Sequence, residues 1–185
     1  SLIRESLSKP AYKEKLRLRS YGVPDMDSKV FLEIKKKYRG LVNKRRTTLE
    51  LGEAYDFIET GVKPELQDYM NGQVLNELEY CLNLYDLEPK VYIAYDRLAY
   101  FEKGNDDLRI SFDTNIRTRR SDLLLESGDH GKRLLDSDVW LMEIKTSLAK
   151  PLWLCEMLSE FEIRSSSFSK YGTEYKNMMA RQKEM

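Results

Sequence analysis

Histidine is nearly absent from this 185-residue chain: His130 is the single one, and it lies in a Gly/Asp-rich turn. A lone imidazole excludes a His-rich metal centre and argues against a serine–histidine triad. Cysteine is scarce as well. Cys81 and Cys155 stand far apart, each inside an apolar helical pattern, and they read as two buried free thiols rather than a disulfide framework. No apolar run reaches the ~18 residues of a membrane span, and no signal sequence is recognised at the start, so a cytoplasmic, reducing location is expected. Net charge is lacking too, since 31 Lys and Arg are balanced by 31 Asp and Glu. That argues against a general nucleic-acid coat. It leaves room for a local basic site, because charge can be segregated by position.

What is present is alternation. Residues 11–20 (AYKEKLRLRS) place Lys13, Lys15, Arg17 and Arg19 on one face and Tyr12, Leu16 and Leu18 on the other, the period of a strand. Residues 29–39 repeat the pattern, with Val30, Leu32, Ile34 and Tyr38 opposite Glu33, Lys35, Lys37 and Arg39. From about Thr47 to Asp86 the apolar period becomes helical, which predicts a short helix near 47–59 and a longer one near 64–86 opened by Pro64. Strands are predicted again at 90–103 and 108–119, with a turn at 103–107 between them. A weaker strand is predicted at 122–126, a further one at 139–146, and a final helix after Pro151. The polar, aromatic remainder (SSSFSKYGTEYKNMM) gives no clear backbone signal. One domain spanning 1–185 is expected.

A charged stripe opposite an apolar stripe admits two readings: a half-exposed antiparallel sheet with solvated charges, or a closed barrel with the charges inside and no free edges. On the second reading the interior holds Lys15, Arg17, Arg19, Lys35, Lys37, Arg97, Arg109, Arg117 and Lys145. Guanidinium forks match phosphate oxygens in pairs, and lysines add compact charge. So many cations together need a counter-charge, which a bound polyanion supplies. Inward carboxylates, such as Glu33 and Glu143, would offset the repulsion or hold Mg²⁺ or Mn²⁺ beside phosphates. Lys44-Arg45-Arg46 reads either as a phosphate contact at a tunnel mouth or as a solvated basic turn. The strand tyrosines read as packing residues rather than base-stacking platforms.

The ordered segments EKLRLRSYG (14–22), VFLEIKKK (30–37), YDRLAY (95–100), LRISFDTNIR (108–117), LMEIKT (141–146) and FSKY (168–171) resemble the vacuolar transporter chaperone (VTC) domain, the polyphosphate polymerase branch of the triphosphate tunnel metalloenzymes (the CYTH-like superfamily). The resemblance implies an α+β fold built on an antiparallel tunnel barrel of about eight strands with packed helices. It implies a metal-dependent enzyme that moves the terminal phosphate of ATP onto a growing polyphosphate chain, with Mn²⁺ or Mg²⁺ as cofactor. Carried over by motif, Arg17, Arg19, Lys35, Arg97 and Arg109 would line the tunnel and act on phosphates, with Lys145 beside them. Glu143 would bind the metal. Ser169 and Lys170 would approach the phosphate chain from the C-terminal segment. Arg117 and Lys15, set on the charged stripes by alternation, are expected as further phosphate ligands.

Family members usually carry strands upstream of the segment that opens here at SLIRESLSKP, one of them with a basic tunnel residue. The sequence is therefore expected to be a truncated tunnel domain, completed by another segment or a partner chain. Expected partners are ATP and polyphosphate or another polyanion, without nucleic acid and without a membrane span. A hydrolase of triphosphate or nucleoside triphosphates, and a non-catalytic polyphosphate-binding module, are the alternatives. Tunnel hydrolases often carry an ExExK pattern near their start, which this sequence lacks.

Overall fold

The computed structural model describes residues 12–184. They form two compact units, residues 12–90 with 122–129 and residues 91–121 with 130–184.

The first unit is a three-stranded antiparallel sheet, β1 (Tyr12–Arg19), β2 (Lys29–Tyr38) and β3 (Leu41–Glu50), in that order. It packs on helices α1 (Leu51–Thr60) and α2 (Gly72–Leu84). Alternation builds its core: Val30, Leu32 and Ile34 of β2 and Leu49 of β3 meet Leu51, Ala54 and Phe57 of α1 and Val74, Leu75, Leu78 and Cys81 of α2, all nearly solvent-free. The β2–β3 hairpin turns on Arg39 and Gly40, both at positive φ (45° and 93°), which matches the right-handed twist of the strands it joins. Helix α1 starts with a reciprocal cap between Glu50 and Glu53 and ends at Gly61, whose φ of 70° favours glycine. Helix α2 is capped by Asn71, whose Oδ1 accepts from Val74 N at 3.1 Å. Asn71 N in turn donates to Thr47 Oγ1 of β3 at 2.9 Å, which ties the helix start to the sheet.

In the second unit β4 (Tyr92–Glu102) and β5 (Asn105–Arg119) form a long hairpin. The other edge of β5 pairs with β6 (Lys132–Arg133) and β7 (Leu141–Lys145). Helices α3 (Leu152–Glu160) and α4 (Lys170–Glu184) follow. One irregularity decides which side chains share a face. The β4–β5 register breaks between Ala94↔Arg117 and Asp96↔Thr114, so Asn115 and Ile116 together stand opposite Tyr95. Asn115 adopts φ 49° there, a conformation asparagine tolerates better than most residues. The bulge moves everything C-terminal to it onto the other face.

The α+β class with antiparallel sheets is as expected. The barrel is not: among the described residues the strands form two separate ladders of three and four strands, and neither closes on itself. The predicted helix at 47–59 begins only at Leu51, because 41–50 is the strand β3, and α2 begins at Gly72 rather than at Pro64. The weak strand at 122–126 is a loop, and 170–184 is helical. Cys155 is exposed on α3, not buried as expected; Cys81 is buried, and that burial pushes its thiol up to about 11. Among the described residues no helix is long and apolar enough to cross a membrane.

Candidate functional site

Register places four rows of side chains on one face of the first sheet: Lys13, Lys37 and Val42; Lys15, Lys35 and Lys44; Arg17, Glu33 and Arg46; Arg19, Phe31 and Thr48. The opposite face carries the core. Among the described residues, eight cations therefore share this face with one carboxylate, Glu33. That carboxylate is 3% exposed. Its Oε2 accepts from Arg17 Nε at 3.0 Å and also from Arg17 Nη2, and Lys44 Nζ lies 3.3 Å from Oε1. Burial drives the Glu33 carboxyl upward, but the Arg17 hydrogen bonds and the charges of Arg17, Lys44 and Arg19 outweigh it, so its pKa sits below the ordinary carboxylate value. Lys15 is held below its ordinary value by burial and by repulsion from Lys35 and Lys13. Arg19 lies over the Tyr21 ring and donates to its hydroxyl, while Arg46 lies over Phe31. Arg19 Nε is sealed from solvent without an acceptor among the described residues. A face with this surplus of exposed cations carries the donors that pair with anionic oxygen.

The second unit builds a different arrangement. Pairing of β4, β5 and β7 sets Arg97 beside Asp113, Ser111 beside Glu143, and Arg109 beside Lys145, all on one face. Asp113 is 1% exposed. Arg97 meets it with both fork nitrogens, Nε to Oδ1 at 2.5 Å and Nη2 to Oδ2 at 2.8 Å. Lys170, at the start of α4, reaches Oδ2 of the same carboxylate at 2.5 Å. Burial would raise the Asp113 carboxyl, but the hydrogen bonds and charges of Arg97 and Lys170 leave it below the ordinary range, and the bond to Asp113 holds Arg97 above its own. Tyr95 lies beneath both cations, 5.1 Å from the Arg97 guanidinium and 4.4 Å from Lys170 Nζ. Arg109 rests on Phe101. Helix α4 is fixed one turn further along by Arg120, whose Nε and Nη2 grip Glu174 at 2.8 and 2.6 Å.

Each expected site residue has a definite place. Lys15, Arg17, Arg19 and Lys35 come together on the first face. Arg97, Arg109, Glu143 and Lys145 come together on the second, with Lys170 joined to them through Asp113. Ser169 caps α4, its Oγ accepting from Gly172 N at 3.2 Å. Arg117 does not join them. The bulge turns it to the other face, where it reaches Asp96 and donates to the Asn115 carbonyl at 2.8 Å. Lys44 and Arg46 join the first face, whereas Arg45 points to the helix side and pairs with Glu77. From the sequence, Asp113 has no assigned role and Tyr95 reads only as a packing residue. Alternation sets Asp113 beside Arg109 and Ser111, but its burial under two cations has no sequence signal.

Glu143 is the candidate metal ligand. Its carboxylate is half exposed, with Lys145 Nζ 3.3 Å from Oε1 and Arg97 Nη2 3.8 Å from Oε2. No group of three or more His, Cys, Asp or Glu side chains gathers among the described residues. This donor set fits an ion that takes most of its ligands from phosphate oxygens and water, as Mg²⁺ and Mn²⁺ do, and not a cage made by protein alone.

Against known proteins, the family model of the VTC domain matches residues 1–179. No curated protein matches the chain.

Proposed function

We propose, from the premise that this chain belongs to the VTC domain family, that it synthesises polyphosphate from ATP. Membership in that family points to polyphosphate-related chemistry; the finer reading rests on the two cationic faces. The observation that carries it is the first sheet, where, among the described residues, Lys15, Lys35, Lys37, Lys44, Arg17, Arg19 and Arg46 share a face with one tied carboxylate, Glu33. A linear polyanion supplies the missing counter-charge along such a row, and a compact anion would leave most of it unmatched.

The transfer breaks the bond between the terminal phosphorus of ATP and its bridging oxygen, and ADP leaves. A new bond forms from that phosphorus to a terminal oxygen of the growing chain. Such a reaction needs mainly positioning and charge neutralisation. Arg97, Arg109, Lys145 and Lys170 would bind oxygens of the transferring phosphoryl group. Lys15, Arg17, Arg19 and Lys35 would bind oxygens of a polyphosphate chain. Glu143 would hold a Mn²⁺ or Mg²⁺ ion, which supplies further neutralisation of phosphate charge when bound.

The test is an assay of the full chain with ATP and Mn²⁺, read for product length. Long polyphosphate is the expected product. It should fall at least tenfold in Glu143→Ala, whose half-exposed side chain leaves the fold intact. Release of free phosphate alone would move the chain to the hydrolases of this fold. Tight polyphosphate binding with no turnover would make it a binding module.

A further inference from the structure

Asp113 is a buried carboxylate that the proposed transfer does not use. It sits at the centre of β5 and touches cations from two elements that are far apart in sequence. Arg97 reaches it from β4 with two hydrogen bonds, and Lys170 reaches it from α4 with one. Without it, the two cations would repel each other above the Tyr95 ring. A long lysine side chain at a helix start would otherwise sample many rotamers, and ordering it costs free energy that ligand binding must supply. With Asp113 present, both cations are ordered before any anion arrives. Arg97 keeps Nη1 free of the carboxylate, and the Lys170 ammonium keeps two of its three N–H donors.

We propose that Asp113 is a positioning residue for the phosphate site: it fixes the Arg97 guanidinium and draws the first turn of α4, with Lys170, onto the face that carries Glu143. This rests on the phosphate-transfer reading of that face. Asp113 touches no substrate in this role; it acts through the two cations. Its charge works against anion attraction, so its benefit is geometric and appears in the transition state rather than in ground-state binding. The Arg120–Glu174 pair anchors the following turn of the same helix. Loss of Asp113 should therefore loosen the start of α4 and leave the helix docked.

The experiment compares the full chain with Asp113→Asn, an isosteric change that removes the charge. Two readouts are taken: steady-state polyphosphate synthesis from ATP with Mn²⁺, and amide hydrogen exchange. The kcat should fall tenfold or more while KM for ATP stays level or decreases. Exchange over residues 170–174 should speed at least tenfold, and exchange in β4 and β5 should stay as it was. A rise in KM at unchanged kcat, or unchanged exchange at the start of α4, overturns the proposal. If wild type makes no polyphosphate, the polymerase reading fails, and tripolyphosphate then serves as the probe. It should add little protection to residues 170–174 in wild type, where they are already ordered, and clearly more in Asp113→Asn, and an equal gain in both refutes the positioning role. If Asp113→Asn does not fold, Lys170→Gln decides. That variant leaves Arg97 paired with Asp113 and should free the first turn of α4 to the same degree; unchanged exchange there rejects the clasp.

Discussion

At the scale of single residues, Glu33 is where charge and stability meet. It is almost fully buried, yet Arg17 and Lys44, which hold it, are about half exposed. Because its partners reach water, the pairs are worth less than a sealed ion pair. Glu33→Gln is expected to cost about 1–2 kcal/mol at neutral pH, the range for a charge-assisted hydrogen bond with partly solvated partners. The sign of the pH effect follows from the depressed carboxyl of the folded state. The contribution is fully present above the unfolded glutamate value of about 4.3 and is lost as pH falls through the lower folded value. Urea titrations of the two proteins should therefore converge as pH drops below about 4, and a gap that stays constant to pH 3 would refute the ion-pair account. Glu33 was legible as an inward carboxylate among cations from alternation alone. Asp113 was not, because alternation gives a face and says nothing of depth. Its importance comes from Lys170, 57 positions away, and no local pattern encodes that meeting.

At the scale of elements, strict alternation made β1, β2, β4 and most of β5 readable, and β3 defeated it. Lys44, Arg45 and Arg46 are three cations in a row, so no face stands out until the pairing with β2 assigns them. Register then sends Lys44 and Arg46 to the basic face and Arg45 to the helix side, with Glu77. This yields a test of the face itself. Lys44→Gln and Arg46→Gln should each weaken tripolyphosphate binding several-fold in calorimetry. Arg45→Gln should leave that affinity unchanged and lower stability by at most about 1 kcal/mol, as befits a partly exposed pair. Equal losses in all three would mean that only net charge matters and that the face is not the binding surface. Helix α4 escaped for a different reason. Its sequence, KYGTEYKNMMARQKE, offers only a short apolar stripe, Tyr171, Tyr175, Met178 and Met179, in a polar run with a glycine near its start, and it is held in addition by Lys170–Asp113 and Arg120–Glu174, pairs that local periodicity cannot reveal. Arg117 was misplaced by one bulge, since a single extra residue inverts every face beyond it.

At the scale of the whole molecule, the ordered motifs carried the family, while the closed barrel they implied does not appear in the strand ladders of the described residues. Each unit carries its own row of cations. The chain is neutral in sum, so a distant polyanion feels no net pull, and attraction begins only within about one Debye length, roughly 10 Å at 0.1 M salt. There the local cationic rows act as if the rest of the chain were absent. Exposed charges of this kind are screened steeply, whereas a buried pair such as Arg97–Asp113 is not. Tripolyphosphate affinity should thus fall at least tenfold between about 50 and 300 mM KCl, although a neutral protein offers no monopole to screen. Thermal stability over the same range should not fall, because the core of the first unit is apolar and salt screens the repulsion among its exposed cations. An affinity indifferent to salt would mean that the rows do not meet the phosphates directly. A salt dependence shared equally by affinity and stability would mean that the cations serve the fold, and that the anion site lies elsewhere.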